Sequence, residues 1–216
     1  MLHVIIITSP SKEMTKNTLK SDRQPALIEY AEAYSSEEDW SEDTTLYQAI
    51  DLYHGLQFRY LKAKLSDDDI IFLDNHLRIL SAMYGVIKPL DGIRRYRKDF
   101  KTKGLYKLWA DRLYQTITQE DRFILNLASA EFSKTITRYA TDKDTIITID
   151  FLEQTSDGQL KKHASISKKG RGQLVNYIAR HRITDSDQVK AFDDMGYTFS
   201  TKHSDDQNWV FIRPKD

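Results

Sequence analysis

The chain has 216 residues, sets 32 Lys and Arg against 32 Asp and Glu, and is 40% hydrophobic. That composition suits one globular domain over residues 1–216 and argues against disorder. With no cysteine, disulfides, a thiol nucleophile, thiolate-bound zinc and ordinary iron–sulfur ligation are excluded.

Residues 2–7 are rich in β-branched side chains and read as a first buried strand, closed by Thr8, Ser9 and Pro10. The run is too short to span a membrane, and without a basic leader or cleavage site it is not read as a secretion signal. Residues 11–24 are polar and predict a loop. A short helix is expected over 25–34 and an exposed acidic tip over 35–43. Leu46, Ala49, Ile50 and Tyr53 keep helical spacing until Gly55 interrupts it. Ser66 followed by Asp67, Asp68 and Asp69 predicts a helix start, because a hydroxyl can cap free amides and carboxylates suit the positive dipole end.

Residues 77–83 read as a strand, and turns are expected at Gly85 and across Pro89 to Gly92. Leu105, Leu108, Trp109, Leu113 and Ile117 line one face of an expected amphipathic helix. Residues 123–127 predict another strand, ending where Ser129 opens a helix. Asp157-Gly158 predicts a hairpin turn between 145–154 and 159–166. Leu174, Val175, Ile178 and Ala179 mark the last helix. Residues 197–202 and 209–212 suggest a second hairpin. Strands and helices alternate irregularly, so the expected class is α+β, a mixed sheet with surrounding helices and two β-hairpins.

The zero net charge conceals segregation. Seven acidic and no basic residues fall in 29–43, eight basic and two acidic residues in 88–107, and seven basic and no acidic residues in 161–182. Such runs are often solvated faces, but two basic runs and one acidic run favour a bipolar molecule with one positive surface. Ser9, Ser11 and Lys12 match an S-x-x-K pattern, yet the S-D-N and K-T-G partners of serine acylases are missing. A loop at the carboxyl end of a strand is still a common ligand position, so Ser9 and Lys12 are candidate phosphate contacts. Tyr84, Lys88, Arg94, Arg95 and Arg97 are candidates for the same role, with Tyr96 interleaved for base stacking. Lys168, Lys169 and Arg171 precede the last apolar helical pattern and predict an anion site at a helix N-terminus capped near Ser167. The six histidines are scattered, no nucleotide-binding glycine motif occurs, and no metal or cofactor is inferred. Glu131 and Asp150 are a possible carboxylate pair.

The order of several blocks carries a resemblance. These are Ser9 to Lys12, Tyr53-His54-Gly55-Leu56, the stretch 76–91, Tyr96-Arg97, Leu105-Tyr106, Trp109-Ala110-Asp111, Asn126 to Ser129, and 168–172. Together they make the chain resemble the YaaA family of peroxide stress-response proteins. The resemblance implies a cytosolic protein that limits oxidative damage under hydrogen peroxide, associated with DNA binding and restraint of free intracellular iron. It also implies an unusual mixed fold with a positively charged cleft. Departures are Ser11 and Ala110, where the family usually has alanine and glycine, Glu13 and Met14 near a common threonine, and the cationic pair Arg94-Arg95. A peroxidase would need a thiolate, haem or other redox centre, so protection is expected to be indirect. The expected partner is single- or double-stranded DNA, met by a monomer without membrane association. The alternative is an enzyme acting on nucleic acid or nucleotides, such as a glycosylase-like hydrolase; catalytic residues are not assigned.

Overall fold

A computed structural model describes residues 4–16 and 18–215, so Leu2 and His3 of the expected first strand lie outside the described residues. The first strand, β1 (Ile5–Thr8), is followed by α1 (Ile28–Ala33), β2 (Tyr47–Gln48), α2 (Ala49–Leu52), α3 (Leu56–Leu61) and α4 (Asp67–His76). Next come β3 (Leu77–Ser81), β4 (Gly85–Ile87), β5 (Gly92–Ile93), α5 (Leu105–Trp109), α6 (Arg112–Thr118), β6 (Phe123–Leu127) and α7 (Ala130–Thr137). The chain continues through β7 (Thr145–Gln154), β8 (Leu160–Lys161), α8 (Ala164–Arg180), α9 (Ser186–Val189), β9 (Thr198–Phe199) and β10 (Asn208–Pro214).

The main sheet runs β4-β3-β1-β6-β7-β10-β9, with β8 added to β7, and β2 pairs β5 separately. β3, β1, β6, β7 and β10 are mutually parallel, while β4, β8 and β9 pair antiparallel. This is the mixed sheet expected of an α+β protein. Alternation along the central strands gives the sheet two apolar faces. Ile6, Leu77, Ile79, Leu125, Leu127, Ile149 and Phe151 pack under α2, α3, α4 and α8. Ile5, Ile7, Leu80 and Ile124 pack under α5, α6 and α7. Both faces of β1 are therefore dry, which explains its uninterrupted Ile5-Ile6-Ile7 run.

From β1 the chain goes to β3 on one side, and from β6 it goes to β7 on the other. The order reverses between these adjacent strands, so their carboxyl ends, where Thr8 pairs Leu127, form a topological switch point.

Local chemistry explains several boundaries. Ser66 Oγ accepts the Asp69 amide at 3.2 Å and Asp69 Oδ2 accepts the Ser66 amide at 2.8 Å, closing a capping box on α4. At its other end Arg78, 1% exposed, donates to the carbonyls of Asp74, Asn75 and Leu77 and pairs with Glu120. Free helix-end carbonyls are thus satisfied by a buried cation. The second expected hairpin is present as β9 and β10, with Phe199 opposite Phe211.

Three expectations need correction. The helix read through 105–117 is two helices, because Ala110 adopts φ 45° and ψ −123° after α5. The expected helical stretch from Leu46 begins as β2, whose Tyr47 pairs Ile93, before α2 turns. The return arm after Gly158 is only β8, and α8 starts at Ala164 instead of near Leu174. Residues 168–172 thus lie inside a helix, with His163 rather than Ser167 at its N-cap. A site at that helix's N-terminus is therefore not formed by them.

Candidate functional site

The loop after β1 is tied to the turn after β6 at this switch point. Ser9 Oγ accepts the Ser129 amide at 2.8 Å and meets Ser129 Oγ at 3.2 Å. Two residues on, Ser11 Oγ accepts the Gly55 amide at 2.8 Å and the Glu13 amide at 3.1 Å. Gly55 is required there, since a Cβ would meet the Ser11 side chain. Gln57, on α3, donates to the buried Thr8 hydroxyl. The Ser-Pro-Ser-Lys loop is therefore fixed on two sides before it presents Lys12.

Lys12 is exposed and its Nζ lies 2.7 Å from Asp99 Oδ2. That hydrogen bond raises the Lys12 pKa and lowers that of Asp99. Arg97 and Glu131 also lie within electrostatic reach of Lys12, with opposite effects. Glu131 accepts the Phe100 amide at 3.1 Å, which draws the segment after Arg97 onto the start of α7. Arg97 itself is exposed and forms no ion pair among the described residues. Glu131 and Asp150 are not hydrogen-bonded to each other, because Asp150 pairs with Lys162 at 2.7 Å.

α8 brings the second basic run to the same end of the sheet. Gly170 lies against Phe151, near the carboxyl end of β7, and Gly172 lies on the Gln57 carbonyl and Tyr60 of α3. These glycines serve helix–sheet and helix–helix packing rather than approach to an anion. Between them, half-buried Arg171 has an Nε without a hydrogen-bond partner. Burial pushes its pKa down, while Asp150 acts in the opposite sense. Lys168 is exposed and Lys169 half-buried, and neither forms an ion pair among the described residues.

The other candidates separate. Lys88 leaves β4 toward the amino end of the parallel strands, its Nζ 3.8 Å from Glu120. Arg95 is held by Asp43 at 3.1 Å and by the Thr15 carbonyl, over the Tyr47 ring. Tyr84 is 1% exposed, and its hydroxyl accepts the Arg94 amide at 2.9 Å. Arg94 lies over Trp40 and donates to the Ser41 carbonyl at 2.9 Å. Tyr96 is tied by 2.7 Å contacts to the hydroxyls of Tyr53 and Ser81. Burial pushes its pKa up to about 12. Its ring is not a free stacking platform.

The acidic run accounts for part of this arrangement. Asp39 pairs with Lys98 and Asp43 with Arg95, and the Asp39 carbonyl accepts the Arg97 amide at 3.2 Å. The acidic run and the first basic run are thus docked on each other, not held at opposite poles. Sequence reasoning missed Asp99, Gln57 and Ser129 as neighbours of the first loop. They come from distant segments, and a serine after β6 was legible only as a helix start.

Among the described residues, no group of three or more His, Asp or Glu side chains is arranged to hold a metal ion. No helix there is long and apolar enough to cross a membrane.

Comparison with known sequences identifies relatives of this chain. A family model described as peroxide stress protein YaaA matches residues 27–203. A UPF0246 protein of Agathobacter rectalis is 40% identical over 173 residues, covering 76% of this chain and 69% of its own length. A UPF0246 protein of Desulfitobacterium hafniense is 38% identical, with 76% and 68% covered. Another, of Lactobacillus johnsonii, is 36% identical, with 78% and 70% covered. The family model over most of the chain and the identity to curated relatives agree, and the chain belongs to the peroxide stress protein YaaA family, also designated UPF0246.

Proposed function

We propose that this protein binds DNA through the basic carboxyl-terminal end of its sheet. In the cytosol of peroxide-stressed cells it thereby limits oxidative DNA damage and restrains free iron. Family membership supports the peroxide-stress role itself. The observation that carries DNA binding is the convergence of three distant segments, bringing Lys12, Arg97 and the Lys168–Arg171 turn to one end of the sheet. Arg97, Lys168 and Lys169 are left without ion pairs among the described residues. Unpaired, exposed cations bind phosphate without first breaking an internal bridge. Lys12 exchanges Asp99 for phosphate at small cost, since an exposed ion pair is screened by solvent and salt. Iron restraint is the cellular outcome proposed, and no iron ligands are assigned.

An enzyme reading has less support. Ser9 hydrogen-bonds Ser129 rather than a base, so it is not an activated nucleophile. Neither of two cavities in the fold is lined by Ser9, Lys12, Asn126 or Arg171. The test is incubation with single-stranded, duplex and base-damaged DNA, scoring retention and mass change together. Retention without mass change is expected, and the double variant Arg97→Glu, Lys168→Glu should abolish it. Wild-type retention by that folded variant contradicts the proposal; a mass change supports the enzyme.

A further inference from the structure

Arg94 lies away from Lys12 and lines a different feature. A cavity of about 290 Å³ opens between α1 and β5, walled by Arg94, Trp40, Tyr84, Gln24, Glu32 and Ser35. Ile28 and Leu46 complete its apolar side. The volume is at the lower limit for small-molecule sites, enough for one flat ring system. Trp40 is held in the wall: its indole nitrogen donates to Ser35 Oγ at 2.8 Å, and its ring meets Tyr84 edge-on at 5.5 Å.

Arg94 differs from its neighbours Arg95 and Lys98, which each have a carboxylate. Arg94 has none among the described residues, and its Nε is buried without a hydrogen-bond partner. One terminal nitrogen serves the Ser41 carbonyl and the guanidinium rests 4.8 Å from the Trp40 ring centre. An arginine in a cavity wall calls for hydrogen-bond acceptors, since a guanidinium carries donors only. A phosphate is a poor acceptor here, because Glu32 shares the wall. The complementary ligand is neutral and flat, offering acceptors to Arg94 and, on a neighbouring edge, donors to Glu32.

Guanine has that pattern. O6 and N7 accept, matching an arginine, and the adjoining N1 and N2 carry hydrogens for a carboxylate. Adenine carries an amino group where O6 would be, so it turns donor toward donor. We propose that this cavity binds a guanine base, presented by a free nucleoside or unstacked in a single strand. The site is separate from the proposed DNA-binding residues and does not depend on them.

The test titrates the folded chain with guanosine, adenosine, and oligothymidylate with and without one internal guanine, following tryptophan fluorescence and calorimetric heat. Guanosine should bind about tenfold or more tightly than adenosine, the discrimination expected of a matched edge. A response to the guanine-containing strand alone assigns the site to an unstacked base; a response to guanosine as well assigns it to the base in either form. Glu32→Gln, at an exposed position that does not endanger folding, should remove most of the preference. Arg94→Ala should weaken guanosine about tenfold. No response to either guanine-bearing probe, equal affinity for the two nucleosides, or unchanged binding by both variants overturns the proposal. Arg97→Glu should leave guanosine titrations unchanged even where it abolishes duplex retention, so the two readings fail separately.

Discussion

Ala110 separates α5 from α6 with φ 45° and ψ −123°, a conformation that an L side chain resists. Backbone strain of this kind costs about 1–3 kcal/mol, whereas exchanging alanine for glycine costs about 0.4–1 kcal/mol through the unfolded chain. Ala110→Gly should therefore stabilise the protein by about 1 kcal/mol, measured by urea denaturation. Asp144 gives a second residue-scale outcome. Its buried carboxylate accepts from Tyr114, Arg122 and the Thr141 amide, each at 2.7 Å. Burial pushes its pKa up, but these hydrogen bonds outweigh it and hold the group below its ordinary 3.8. A lowered carboxylate contributes stability that is complete above the ordinary value and lost as pH falls through the lowered one. Asp144→Asn should cost about 2 kcal/mol at neutral pH, from lost charge-assisted bonds. It should also flatten the acid limb of the stability curve below 3.8; an unchanged acid limb would contradict the assignment.

α8 shows how an element can be misread from local pattern. Residues 159–166 look like a returning strand, and two glycines with three cations look like a loop before a helix. In the fold Gly170 and Gly172 are interior helix positions whose missing side chains let α8 approach β7 and α3. A Cβ at 170 would press into the Phe151 ring, and one at 172 into the Gln57 carbonyl, 2.9 Å from Tyr60 Cβ. Alanine gains about 1 kcal/mol of helix propensity over glycine, but overpacking a rigid interface costs about 1–3 kcal/mol or more. Either Gly170→Ala or Gly172→Ala should lower stability by about 2 kcal/mol, read from the shift in denaturation midpoint. A gain in stability would place these contacts elsewhere. Elements whose signal is local were legible: the capping box at Ser66, the buried strand Phe123–Leu127 and the terminal hairpin. The break at Ala110 was not, because apolar spacing runs on across it. Nor was Asp99 as the partner of Lys12, since 87 residues separate them and only sheet topology brings them together.

Over the whole molecule, charge segregation in the sequence becomes partial neutralisation in space. The acidic segment takes up Arg95 and Lys98, while Arg97 and Lys168 of α8 stay exposed and without ion pairs among the described residues. That division makes the central claim measurable. Duplex DNA affinity should fall with salt along a log–log slope on the order of −4, if about five phosphates are neutralised. Arg97→Ala and Lys168→Ala should each reduce the magnitude of that slope by about 1, equally for unrelated sequences, because phosphate contacts carry no base information. A salt titration of wild type and both variants tests this most directly. Those slopes are the predicted result; a wild-type slope near zero, or slopes unchanged in both variants, would contradict it.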